Sequence, residues 1–166
     1  MKKQPDHRIN VVIVEISIWI SILVLVSGAL AALSFQIEAL NFRYPMDYGE
    51  APLINQAMQL NAGHPIYQKT LEQPPHTIAN YPPVYIGLLA VFEKIFGPAF
   101  WYGRLISSLG TIGSAVMLYL LTKSRDHDWK LALVPALLFF NIPYVIQWST
   151  LARIDHLALF FALTGL

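Results

Sequence analysis

Residues 16–35 read ISIWISILVLVSGALAALSF, twenty positions without a charged side chain. At 1.5 Å of rise per residue, a helix of that length covers about 30 Å, the thickness of a bilayer's hydrocarbon core. Val11-Val12-Ile13-Val14 extends it toward the N-terminus and leaves Glu15 near the helix end, where it can reach headgroups or a partner. Lys2, Lys3 and Arg8 precede the stretch as the basic region of a signal peptide would. The run is longer than the roughly 7–15 apolar residues of such a signal, and Ser34-Phe35-Gln36 offers no small-x-small cleavage site. An uncleaved span is expected.

The whole chain has the composition to match. Of 166 residues, 55% are hydrophobic and 13% charged, with a mean hydropathy of +0.50. An ordinary soluble domain carries about 45–50% apolar residues. The 11 Lys and Arg against 10 Asp and Glu give a net charge of +1, so no nucleic-acid partner is indicated. Zero Cys excludes a disulfide framework, a thiolate metal site and a cysteine nucleophile.

Further apolar stretches run over 101–122, 131–148 and from 156 to the last residue, Leu166, where the chain looks cut off inside a membrane helix. Residues 84–96 are apolar too, but thirteen residues make only about 20 Å of helix, and Glu93-Lys94 interrupt them. This segment is expected to be interfacial, with Tyr85 and Phe92 at headgroup level. Basic residues decide the orientation. Lys2, Lys3 and Arg8 in the tail (1–10) and Lys123, Arg125 and Lys130 in the loop 123–130 should both be cytoplasmic. An even number of crossings must lie between them, so 11–35 and 101–122 span while 84–96 does not. Asp126 and Asp128 blunt this signal only slightly. Residues 36–100 then form one long extracytoplasmic loop, and 149–155 a short one on the same side. The expected fold class is all-α: a multispanning helical membrane protein with amphipathic juxtamembrane helices in its first outer loop.

That loop holds eight of the 11 prolines. Residues 52–62 have Leu53, Ile54, Ala57, Met58 and Leu60 largely on one side and Asn55, Gln56 and Gln59 on the other. Pro52 suits a first helical turn and Gly63 a C-terminal cap. The turns His64-Pro65, Gln73-Pro74-Pro75-His76 and Asn80-Tyr81-Pro82-Pro83 keep the chain extended until the 84–96 helix.

The candidate chemistry is a set of charges at one membrane face. Asp47, between Tyr44 and Gly49, could act as a general base or hold a cation; alternatively it caps a turn. Glu50 could share that chemistry or simply complement the dipole of the following helix. Arg104 opens the second span beside Trp101 and Tyr102, where a bound phosphate would explain a cation on the outer side. Arg153 and Asp155 flank the head of the last apolar run, where charge is costly unless paired or wet. Two helical residues two apart point away from each other, so this pair needs other partners unless the turn is non-helical. Asp155-His156 is a weak metal signal, and the five histidines show no ligand spacing. No metal site is assigned. Tyr48, Tyr81 and His156 complete the candidate pocket.

In their order and spacing these features resemble the N-terminal part of GT-C superfamily membrane glycosyltransferases. The closest likeness is to the branch grouped with protein O-mannosyltransferases (glycosyltransferase family 39) and lipid A aminoarabinose transferases. Four segments carry it: Met46-Asp47-Tyr48-Gly49-Glu50; Asn80-Tyr81-Pro82-Pro83-Val84-Tyr85 with a helix ending Ile95-Phe96-Gly97; Gly103-Arg104-Leu105-Ile106-Ser107-Ser108; and Arg153-Ile154-Asp155. The resemblance implies transfer of a sugar from a polyprenyl-phosphate donor to an acceptor hydroxyl on a glycan, lipid or protein. The reaction would take place at the outer face of a bacterial or archaeal cytoplasmic membrane. It implies Asp47 as catalytic base, Asp155 as a second acidic position with Glu50 beside it, and Arg104 as a ligand of the donor phosphate; Arg153 joins it in that role. The chain departs from the family where Tyr48 and Gly49 separate Asp47 from Glu50, in place of an adjacent Asp-Glu. Leu157 also leaves the Asp-x-Asp metal signature incomplete, so a metal-independent transfer without cofactor is expected. A transporter or flippase fragment would place its charges near the midplane, and a non-catalytic scaffold would make their clustering accidental.

Overall fold

The computed structural model describes residues 7–68, 70, 72, 76, 78–126 and 128–166, and the side chains of 7–9 and 126 are left aside. Lys2, Lys3, the Arg8 and Asp126 side chains and the Gln73-Pro74-Pro75 turn, which entered the reading above, lie outside the described residues. Among those described there are seven helices and no strand: α1 (His7–Asn41), α2 (Glu50–Asn61), α3 (Pro83–Phe96), α4 (Trp101–Asp126), α5 (Trp129–Phe140), α6 (Pro143–Ser149) and α7 (Asp155–Thr164).

Two helices are long and apolar enough to cross a membrane, α1 over Asn10–Asn41 and α4 over Trp101–Arg125. Helix α1 leaves Val11, Ile13, Ile20, Leu23, Val24 and Leu30 more than half exposed. A helix uncovered and apolar in this way needs lipid or a protein partner around it. It also runs on to Asn41 instead of ending near Phe35, because nothing in Gln36–Asn41 breaks a helix and its last carbonyls find a cation, described below.

Helix α4 is the axis of the bundle, packed by α5, α7, α1 and α6. Small residues allow the close approach. A Cβ on Gly110 would come within 2.8 Å of the α7 backbone at His156 and Leu157, and one on Gly103 within 2.6 Å of Ala152 Cβ. Ser107 and Ser114, on the same face of α4, are fully buried and donate to the carbonyls of Arg153 and Gly110.

The span expected over 131–148 is not one straight helix. It is α5 followed by α6, bent by 63°. Pro143 supplies no N–H, and Ile142 before it is extended (φ −75°, ψ 120°), as a residue preceding proline prefers. Asn141 serves the break: its Nδ2 donates to Leu137 O at 2.9 Å and to Leu25 O of α1 at 3.0 Å. Gly28 makes the room, since a Cβ there would sit 1.8 Å from Asn141 Oδ1. Gly28→Val should therefore expel Asn141 and lower stability by about 1–3 kcal/mol, the usual cost of overpacking. Thermal unfolding of the detergent-solubilised protein reads this directly, and an unchanged midpoint would show that the bend does not depend on the contact.

Helices α2 and α3 form a hairpin on the end of α4 where that helix begins. Leu53, Ile54, Ala57, Tyr85, Ile86, Leu89, Tyr102 and Ile106 make its core. Helix α2 ends as expected, with Gly63 at φ +81°, Gly63 N donating to Leu60 O and His64 N to Gln59 O, the paired bonds of a Schellman cap. Leu53, Ile54 and Ala57 of its expected apolar face are buried, but the rest of that face differs. Gln56 is inside, donating to Ile78 O, while Met58 and Leu60 are exposed. The partner decides this: α3 lies along the Leu53–Gln56–Ala57 side. Tyr85 is fully buried inside the protein, and its hydroxyl donates to Gly103 O at 3.0 Å. The opposite side of α3 exposes Val84, Val91, Ile95 and Phe96, so this helix is apolar on both faces.

Candidate functional site

Arg104 and Glu50 meet where α1 ends and α2 and α4 begin, both 0% exposed. Arg104 Nε donates to Glu50 Oε1 at 2.9 Å and Nη2 to Oε2 at 2.8 Å, a two-pronged pair. Nη1 donates to the carbonyls of Ala39 and Phe42, and Nη2 also to that of Tyr44. All five N–H groups of the guanidinium are thus spent on the protein. A cation placed on the last carbonyls of α1 also complements that helix's dipole. Glu50 is equally occupied: Ala152 N donates to Oε1 at 2.7 Å and Met46 N to Oε2 at 2.6 Å. Burial works against the Glu50 charge, but Arg104 and the two backbone N–H groups outweigh it and hold the carboxyl below its ordinary range.

Two expectations are corrected here. Arg104 is not free to bind a donor phosphate, because it has no donor left and no exposed surface. Glu50 is not a reacting carboxylate, because both its oxygens are buried and bonded. Together they bolt the end of α1, the 44–47 turn, the start of α2, α4 and the 150–153 turn to one another.

What this bolt positions is a second, more open cluster. Arg153 lies in a non-helical turn just before α7, whose N-cap is Ile154. Freed from helical geometry, it pairs with its neighbour two residues on: Nε donates to Asp155 Oδ2 at 3.0 Å. Nη1 donates to Asp47 Oδ2 at 3.1 Å, and Nη2 to the Tyr81 hydroxyl at 3.2 Å. Among the described residues three N–H groups are used, leaving one on each terminal nitrogen. Burial opposes the Arg153 charge, but Asp155 and Asp47 more than compensate and raise its pKa above the ordinary value. The side chains of Asp47 and Asp155 are 20% and 35% exposed. Gly49 N also donates to Asp47 Oδ2, so Oδ1 of each acid carries no hydrogen bond among the described residues. Gly49 lies close against this pair, since a Cβ there would be 2.9 Å from Arg153 Nη1.

The other candidates divide. Tyr81 joins the cluster. Tyr48 is 86% exposed and makes no contact with it. His156 is turned inward, 3% exposed, its ring against that of Phe139 and its backbone close on Gly110, with Nδ1 unpartnered among the described residues. It therefore leaves the open pocket, because the small residue at 110 draws this side of α7 onto α4. A residue not singled out in the sequence takes its place. Trp148 lies under the Arg153 guanidinium, 3.9 Å from carbon to ring centroid, and stacks on Tyr144 on α6. Only the non-helical turn at 150–153 brings Trp148 and Arg153 together, and no periodicity reports it. Among the described residues no three His, Asp or Glu side chains converge as a metal site.

Comparison with protein-family models, curated proteins and solved structures found no match. The functional reading rests on the chain itself.

Proposed function

We propose that the Asp47–Arg153–Asp155 cluster is part of the reaction centre of a membrane glycosyltransferase. In this reading a sugar passes from a polyprenyl-phosphate donor to an acceptor hydroxyl at the outer face of a cell membrane, as the GT-C resemblance implies. The observation that carries it is the meeting of two partly exposed acids, from the 36–100 segment and from the head of α7, on one arginine that, among the described residues, still has two N–H groups to offer. Asp47 follows the end of α1, and Asp155 heads α7, whose start packs on α4 at Ser107 and Gly110; in this reading the lipid-linked substrate presents its headgroup between them. The apolar outer side of α3 and the uncovered length of α1 support burial in lipid on either flank.

In this reading the donor's tail stays in the bilayer and its phosphate meets the two unused N–H groups of Arg153, which alone keeps the role expected of both Arg104 and Arg153. Asp47 Oδ1 accepts the proton of the acceptor hydroxyl as that oxygen bonds to the anomeric carbon. The bond from that carbon to the phosphate oxygen breaks, and its electron pair leaves with the phosphate, where fixed positive charge stabilises it. One base and a good leaving group suit an inverting displacement. Tyr81 and Trp148 hold the guanidinium in plane.

Sealed right-side-out vesicles bearing the full-length protein test the reaction and its side together. Polyprenyl-phosphate sugar incorporated in the outer leaflet should be consumed, with polyprenyl phosphate released, when the acceptor is supplied outside. No release from vesicles of either orientation would overturn the transferase, and release only from inverted vesicles would overturn the outer-face assignment.

A further inference from the structure

A cavity of about 650 Å³ opens between the end of α1, the α2 helix and the turn from α3 to α4. Leu40, Phe42, Ile54, Phe100 and Trp101 give it apolar and aromatic walls, and Arg43 is its charged side chain. Its size is that of a small-molecule site, about 300–1,000 Å³. Arg43 is exposed and has no ion-pair or hydrogen-bond partner among the described residues. Its neighbours Phe42 and Tyr44 turn their carbonyls to Arg104.

The position is as telling as the lining. The cavity lies where α1 ends and α4 begins, the two helices long enough to cross a membrane. A cation on the lip of an apolar slot at that level, with a tryptophan beside it, matches an amphiphile whose anionic head sits next to its chain. None of the cavity's lining residues belongs to the Asp47–Arg153 cluster. The Phe42 and Phe100 rings instead lie over the Arg104 guanidinium, at 6.0 and 5.4 Å from its carbon. A molecule in this cavity would press those rings onto the Arg104–Glu50 pair and would not reach the acids.

We propose that this cavity binds one anionic phospholipid of the surrounding leaflet, with an acyl chain between Phe42, Phe100 and Trp101 and its phosphate on Arg43. The lipid is a structural ligand that keeps the Arg104–Glu50 node dry. The site stands whether or not the protein transfers sugars.

Native mass spectrometry of the full chain released from phosphatidylcholine nanodiscs, with and without phosphatidylglycerol, tests this. The wild type should retain a single phosphatidylglycerol in preference to phosphatidylcholine. Arg43→Gln should weaken retention roughly fivefold, since a cation at an anionic membrane surface is worth about 1 kcal/mol. Ala99→Trp, which fills the cavity without changing charge, should abolish it. Inorganic phosphate should not compete, because it brings no chain. Helical circular dichroism of both variants checks their folding, and Arg43→Gln alters only an exposed side chain should Ala99→Trp fail. Equal retention of both lipids by the wild type, retention unchanged in Arg43→Gln, or displacement by polyprenyl phosphate would each overturn the proposal. The last outcome would make the cavity a donor site.

Discussion

Asp47→Asn in the full-length protein should lower sugar transfer by about 10²–10⁴-fold, the usual worth of a positioned base. Asn keeps the size of the side chain, and its amide oxygen still accepts from Gly49 N and from Arg153, so the turn before α2 should persist. What disappears is the basicity of Oδ1, the oxygen without a partner. Membrane insertion and thermal midpoint should hold while the rate falls, and donor affinity should change little because Arg153 keeps Asp155. Transfer within a few-fold of wild type would return Asp47 to a turn cap and move the base elsewhere.

The Glu50–Arg104 pair should show the opposite pattern, a large loss of stability whatever the reaction. Glu50→Gln leaves the Arg104 charge buried with only neutral partners, and Arg104→Met leaves the Glu50 carboxylate with two backbone N–H groups alone. Each should cost about 3–5 kcal/mol, as breaking a buried pair does. Arg104→Lys should not rescue, because three donors on one nitrogen cannot serve the five directions that the guanidinium serves. The double variant Glu50→Leu with Arg104→Met should be milder than either single change, because it removes both charges at once. The carboxyl of Glu50 is depressed in the folded state, so its stabilisation is present above the ordinary glutamate range and is lost as the pH falls through the depressed value. The gap between wild type and Glu50→Gln should therefore close in acid. Unfolding midpoints in detergent across pH read all of this, and additive single-variant losses would show that the two side chains do not act as a pair.

Much of the frame was legible because it depends on local pattern. A twenty-residue run without charge can be little other than an apolar helix, and α1 appears where that run lies. Pro52 in the first turn and the Gly63 stop of α2, and the start of α3 at Pro83, follow from residues whose backbone preferences are strong enough to act alone. The Arg153–Asp155 proximity was legible only as a condition, that the turn be non-helical, and the turn is.

The errors share one cause. Nothing in the neighbourhood of Arg104 says whether its side chain points to solvent or into the protein. That depended on three carbonyls sixty or more positions away, at Ala39, Phe42 and Tyr44, and on Glu50 fifty-four positions away. Gln56 is inside and Met58 outside for a similar reason, since the burial of a short helix is set by the helix it meets as well as by its own periodicity. His156 was drawn inward by a glycine on another helix. By itself, then, the sequence determined the apolar helices, their stops and the segments that carry charge, because those properties belong to single stretches of chain. The tertiary structure decided which arginine is spent and which still has donors to offer, because a guanidinium's five bonds are satisfied only by groups that distant segments bring within 3 Å.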